Sequence, residues 1–129
     1  MILQVWIIDD DPDDTSFYVA ALKDLGYQGL YNCFNDAEQA LKQLDRPNSP
    51  LPALMIIDYY MPKMTGIEMV ECLRKSSFLQ KLEVVLMSGG VNQTLRDYAA
   101  FAGISVFQKA DTHKELLQLF SGLALIERA

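Results

Sequence analysis

Cysteine, histidine and basic charge are all scarce in this chain. Its 129 residues include two cysteines and one histidine. Cys33 and Cys72 stand far apart and form no CxxC pair, so a disulfide framework is disfavoured and two free, buried thiols in a reducing compartment are expected. One histidine and no thiolate cluster leave a zinc site without ligands. His113 falls at the start of the predicted last helix, away from Ser88, which disfavours a Ser–His–Asp triad; it reads as a surface residue at a helix N-terminus. Eleven basic residues against seventeen acidic ones give a net charge of −6, whereas a protein that grips phosphate backbones carries a basic face. No apolar run approaches the roughly 20 residues that span a bilayer. The opening MILQVWIIDDD carries no basic leader and turns acidic where a signal-peptide cleavage site would lie. The expectation is a cytoplasmic chain with no direct nucleic-acid or membrane partner.

Apolar residues make up 50% of the chain and charged ones 22%, a globular composition. The length suits one domain over residues 1–129 with a substantial core. No repeat or low-complexity segment interrupts it. ILQVWII (2–8) is apolar enough for a strand covered on both faces. From Pro12 the period changes, with Phe17, Tyr18, Ala21, Leu22 and Leu25 on one helical stripe before Gly26. GLYNCF reads as a strand, and Asn35 with Glu38 as the capping box of a helix burying Ala37, Ala40, Leu41 and Leu44. After the loop RPNSPLP the rhythm repeats. ALMIID precedes a helix opened by Thr65 and Glu68 and carrying Ile67, Val70 and Leu73. LEVVLMS precedes a helix marked by Leu95, Tyr98, Ala99 and Ala102 and closed by Gly103. ISVFQ precedes one that Thr112 and Glu115 box, striped by Leu116, Leu119, Phe120 and Leu123 and ending near Leu125. Five strands alternating with five helices predict an α/β fold, (βα)5, with a doubly wound parallel sheet.

Open parallel sheets bind ligands at the carboxyl ends of their strands. Those ends here carry Asp9, Asp10 and Asp11, then Asp58, then Ser88, then Lys109. Asp11, before Pro12, reads as a turn or cap residue, and Asp13 and Asp14 as first-turn residues favoured by the helix dipole. The rest suit phosphoryl transfer to a carboxylate. Carboxylate oxygens hold Mg²⁺, an aspartate can act as nucleophile, and a hydroxyl and an ammonium can donate to phosphoryl oxygens.

In these positions the chain resembles a response-regulator receiver domain of two-component signalling. WIIDDDP, MIIDYYMPKMTG, VVLMSGG and VFQKAD follow in the family's order and spacing, and D-x-x-M-P-x-x-x-G, from Asp58 to Gly66, is the most specific piece. The resemblance covers essentially the whole chain. It implies the flavodoxin-like strand order 2-1-3-4-5, Asp58 as phospho-acceptor, Ser88 as switch hydroxyl and Lys109 as the lysine that pairs with the phosphoryl group. It also implies Mg²⁺, for which Mn²⁺ can substitute, on Asp9, Asp10, Asp58 and the main-chain carbonyl of Tyr60. The implied donor is a sensor histidine kinase or a histidine phosphotransfer protein. The implied output is a changed affinity for a protein partner, or a homodimer, at the face of the fourth helix, fifth strand and fifth helix, with Tyr98 and Phe107 as candidate contacts, although the helical spacing of Tyr98 equally suits a core residue. The starting Met1 and the ending after the last helix lead us to expect a stand-alone receiver, a signalling phosphoprotein and not an enzyme.

The chain departs from the family in four places. Val106 stands where an aromatic residue is common, so the aromatic half of the family's switch is not expected. Ala110 follows the lysine in place of proline, which leaves the isomer of that peptide bond open. Gly89 replaces the common alanine after Ser88. Tyr60 is bulky enough to cover part of an acyl phosphate. Two alternatives stand beside the receiver reading: a Mg²⁺-dependent phosphatase or phosphotransferase, and a phosphorylation-independent interaction module of the same fold. The first usually carries an acid two residues after the nucleophile, where this chain has Tyr60.

Overall fold

The structure is a computed structural model that describes residues 4–76 and 82–123. The expected first residues of the first strand and the expected end of the last helix at Leu125 lie outside them. The elements run β1 (Gln4–Ile8), α1 (Pro12–Asp24), β2 (Leu30–Phe34), α2 (Ala37–Leu44), β3 (Leu54–Asp58), α3 (Gly66–Lys75), β4 (Glu83–Ser88), α4 (Gln93–Ala102), β5 (Ser105–Gln108) and α5 (His113–Ser121). All four strand pairs are parallel, in the order β2-β1-β3-β4-β5. The expected architecture is present.

β1, β3 and β4 are apolar on both faces because helices cover both. Alternate residues of each strand feed two cores. Trp6, Ile8, Met55, Ile57, Val84 and Leu86 pack against residues of α2, α3 and α4. Val5, Ile7, Leu54, Ile56, Val85 and Met87 pack against residues of α1 and α5. The two-residue period also separates Val106 from Phe107, which join the first and second core respectively. β2 is an edge strand and more exposed. No helix among the described residues is long and apolar enough to cross a membrane.

The caps explain where the helices begin, and they correct two expectations. Thr65 accepts from Glu68 N–H while the Glu68 carboxylate accepts from Thr65 N–H, a complete capping box. Asp11 caps α1 by accepting from Asp13 N–H, and Pro12 needs no partner for a missing N–H. For α2 the cap is Asp36, accepting from Gln39 N–H, and not Asn35. Both side chains suit a cap, and the register of Ala37, Ala40 and Leu44 against the sheet selects the later one. At α5, Thr112 accepts from Glu115 N–H, but the Glu115 carboxylate reaches Asp111 N–H, so that box is displaced by one residue. Gly103 ends α4 in the left-handed region at φ 69°, which glycine adopts at no steric cost.

The thiols are free as expected but not buried: Cys33 is exposed on the edge strand and Cys72 is half-buried. Residue 33 sits on a strand with neighbours on one side only, which its apolar sequence context does not reveal. The Lys109–Ala110 peptide is trans.

Candidate functional site

Sheet register assembles the site. Ile8 stands level with Ile57, Asp58 with Met87, and Ser88 with Gln108. Asp58 and Ser88 therefore end their strands, Asp9 and Lys109 lie one position past theirs, and Asp10 lies two past. Backbone bonds hold the steps level: Asp9 N–H donates to Phe34 O, Tyr59 N–H to Met87 O, and Lys109 N–H to Ser88 O at 2.7 Å. Asp9, Asp58 and Ser88 are the buried polar side chains of the described residues. They sit together at one edge.

The carboxylates converge. Asp9, Asp10 and Asp58 each place an oxygen within 4.8 Å of the others, Asp10 from an exposed position. Asp9 Oδ1 accepts from Asp11 N–H at 2.9 Å. Asp9 Oδ2 is buried and has no hydrogen-bond partner among the described residues. A buried, orphaned carboxylate oxygen is costly unless a cation satisfies it. Burial pushes the Asp9 carboxyl up to about 7, against the Asp11 N–H bond that lowers it, and Asp58 and Asp14 add repulsion. An all-oxygen donor set of this kind suits Mg²⁺ or Mn²⁺ and not a soft metal.

Lys109 supplies the opposing charge. Its Nζ lies 2.9 Å from Asp58 Oδ1 and 2.9 Å from Asp14 Oδ2. Burial opposes the ammonium, but hydrogen bonds to Asp14 and Asp58 outweigh it and hold the lysine protonated well above its usual range. Burial also raises the Asp58 carboxyl, with the Lys109 hydrogen bond pulling it back. The close contact to a firmly protonated ammonium favours an ionised Asp58, the form a nucleophile needs.

Ser88 stands apart from this network. Its Oγ donates to Gly90 O at 2.8 Å and accepts from Gly90 N–H at 3.3 Å. The next two residues, Gly89 and Gly90, are exposed and would accept a Cβ without contact. Tyr60 is 79% exposed, so its ring stands in solvent. Gly66, at the end of the Asp58–Gly66 motif, has a steric reason to be glycine. A Cβ there would lie 2.6 Å from Asp58 O and 2.6 Å from Leu86 Cδ1. Its N–H donates to Tyr59 O at 2.9 Å, which closes the loop beneath the site.

The structure brings Asp9, Asp10, Asp58 and Lys109 together, and it places Ser88 at the neighbouring strand end, bonded to Gly90. Asp14 belongs to the site as well, a residue that reads from sequence as an ordinary first-turn aspartate. Its only sequence signal is its place on the first turn after a strand end, where a side chain can face the neighbouring strand ends. His113 lies elsewhere, 2.7 Å from Asp24 across α5 and α1.

Comparison with known proteins gives the family and agrees with the fold. A model of the response regulator receiver domain matches residues 5–121. The two-component response regulator ORR11 of Oryza sativa subsp. indica is 31% identical over 84 residues, which are 65% of this chain and 54% of that protein. The chain spans about half the length of this relative. The crystal structure of the phosphorylated cyanobacterial phytochrome response regulator RcpA shares the fold with a TM-score of 0.82 at 19% identity, over 95% of this chain and 91% of that one. The Mn²⁺-bound form of the response regulator Rcp1 gives 0.81 at 19% identity, over 93% of each chain. Family match, strand order and strand-end residues agree: the chain belongs to the response-regulator receiver family and is a receiver domain of two-component signalling.

Proposed function

We propose that this receiver accepts a phosphoryl group on Asp58 and changes its affinity for a protein partner in response. The observation that carries the reading is the setting of Asp58. It is buried to 4% exposure, salt-bridged to Lys109 at 2.9 Å, and within 4.8 Å of ligand oxygens of Asp9 and Asp10. The donor is a phosphohistidine of a sensor histidine kinase or a histidine phosphotransfer protein. A carboxylate oxygen of Asp58 forms the new bond to phosphorus as the P–N bond to the imidazole breaks, and the imidazole keeps that electron pair. Asp9, Asp10, Asp58 and the main-chain carbonyl of Tyr60 would hold Mg²⁺ or Mn²⁺, and the cation would neutralise charge on the incoming phosphoryl oxygens. Lys109 keeps its ammonium beside Asp58 and donates to the new oxygens. Ser88 must exchange its Gly90 partner for a phosphoryl oxygen, which reshapes the exposed glycine loop and the face of α4, β5 and α5.

That face, with half-buried Tyr98 and Phe107, is where a protein partner or a second copy would dock. The protein is then a cytoplasmic signalling phosphoprotein, a single receiver domain whose output is partner affinity and whose only chemistry is its own phosphorylation and dephosphorylation. Incubation with a small phosphodonor and Mg²⁺ tests the reading. One phosphoryl group per chain is expected, together with a metal-dependent rise in Tm. Multiple turnover of a phosphate ester would favour a phosphatase instead, and the absence of both labelling and metal-linked stabilisation would favour a phosphorylation-independent module.

A further inference from the structure

Lys109 does not serve Asp58 alone. The Asp14 and Asp58 carboxylates each reach the same Nζ at 2.9 Å, so their bonded oxygens stand no farther apart than twice that distance. Two carboxylates, of Asp14 and Asp58, therefore share one ammonium, and Asp58 also converges with Asp9 and Asp10. Asp9, Asp10 and Asp58 form the group able to share a cation, and Asp14 lies outside it. No metal placed among those three would directly neutralise Asp14. Its place on the first turn of α1 gives it a dipole partner, but an ion pair with a residue 95 positions away is not needed for that.

We propose that Asp14 is a positioning residue that competes with the phospho-acceptor for Lys109 and so weakens the site's affinity for a phosphoryl group. The proposal rests on Asp58 being the acceptor, as above. Phosphorylation raises the charge carried at Asp58 to about two negative units. Asp14 opposes that gain twice, by repulsion across a short distance and by holding one of the three ammonium protons. The chain thereby sets a threshold: a donor or a bound partner must overcome the competing carboxylate before Lys109 turns wholly to the phosphoryl group. Solvent screening at a side chain 31% exposed reduces the effect to about tenfold in anion affinity.

Beryllofluoride, a phosphoryl mimic, titrated into the full chain with saturating Mg²⁺, measures this directly by calorimetry. Asp14→Asn keeps an acceptor oxygen for Lys109 and removes only the charge, and it is expected to bind about tenfold tighter. Asp14→Glu is expected to return the affinity to within about threefold of wild type. Asp13→Asn makes the same charge change one residue away, on an exposed side chain, and is expected to stay within about twofold. A readout without metal accompanies these: the Lys109 Nζ resonance in ¹⁵N-lysine spectra shifts in Asp14→Asn and not in Asp13→Asn. If wild type binds beryllofluoride and Asp14→Asn binds no tighter, or if Asp13→Asn tightens equally, the proposal is overturned. If wild type forms no adduct at all, the acceptor reading itself falls.

Discussion

The two halves of the site differ in how much of their geometry exists before any phosphoryl group arrives. In the lysine half, Lys109 bridges Asp58 and Asp14 at 2.9 Å each, and Asp9 is fixed by the Asp11 N–H. In the hydroxyl half, Ser88 Oγ is occupied with Gly90 at the base of an exposed glycine pair. The first half is preorganised, so it spends little reorganisation energy when charge arrives. The second holds a local bond, which on the proposed function Ser88 gives up for a phosphoryl oxygen. A receiver needs both properties. On the proposed function, the fixed half would make the chemistry reproducible and the other half would turn it into a signal.

Changes to the fixed half should have the larger effects. Asp58→Asn is expected to keep the fold and to abolish labelling by a small phosphodonor, measured by intact mass. Gly66→Ala comes next. Its Cβ would press on the Asp58 carbonyl, which is backbone and cannot swing aside. It is expected to cost about 1–3 kcal/mol in denaturant unfolding and to slow labelling, because it displaces the acceptor strand end. Normal stability in Gly66→Ala would contradict the packing described.

Asp9→Asn should act in the opposite direction on stability. The folded chain holds the Asp9 carboxyl near 7 against an ordinary value of 3.8. A carboxyl raised on folding contributes most below about pH 4 and loses that contribution as the pH climbs through about 7. Metal-free wild type is therefore expected to lose stability across that window relative to Asp9→Asn, on the order of 2 kcal/mol by pH 8. The same substitution should remove the rise in Tm that Mg²⁺ gives wild type. Equal pH dependence in the two proteins would remove Asp9 as the strained carboxylate. The smallest stability effect belongs to Ser88→Ala. It loses a bond to the adjacent loop only, and about 1 kcal/mol or less is expected in unfolding. Its effect should lie instead in the phosphorylated form, where the loop change read by amide spectra is expected to be lost.

The contrast also explains what was legible in the sequence. Strand ends are set by apolar runs, and the sheet order then carries Asp9, Asp58, Ser88 and Lys109 to one edge. Local spacing was therefore enough to foresee them. Thr65 and Glu68 were legible for the same reason, since a capping box is written within four residues. Asn35 and Asp36 are adjacent and chemically alike, and only the packing register of α2 separates them. Cys33 is expected to be buried as a free thiol, but it lies on an edge strand with one neighbour and is exposed. Asp14 was the real omission. Its role depends on a pairing across 95 residues, and no local pattern distinguishes an aspartate that serves a helix dipole from one that also grips a distant lysine.

The account's central claim is that Asp58, held beside Lys109, is the acceptor. Intact-mass analysis of wild type and Asp58→Asn after incubation with a small phosphodonor and Mg²⁺ tests it most directly. One added phosphoryl group on wild type and none on the variant is the predicted result. Equal labelling of the two proteins, or none on wild type, would contradict it.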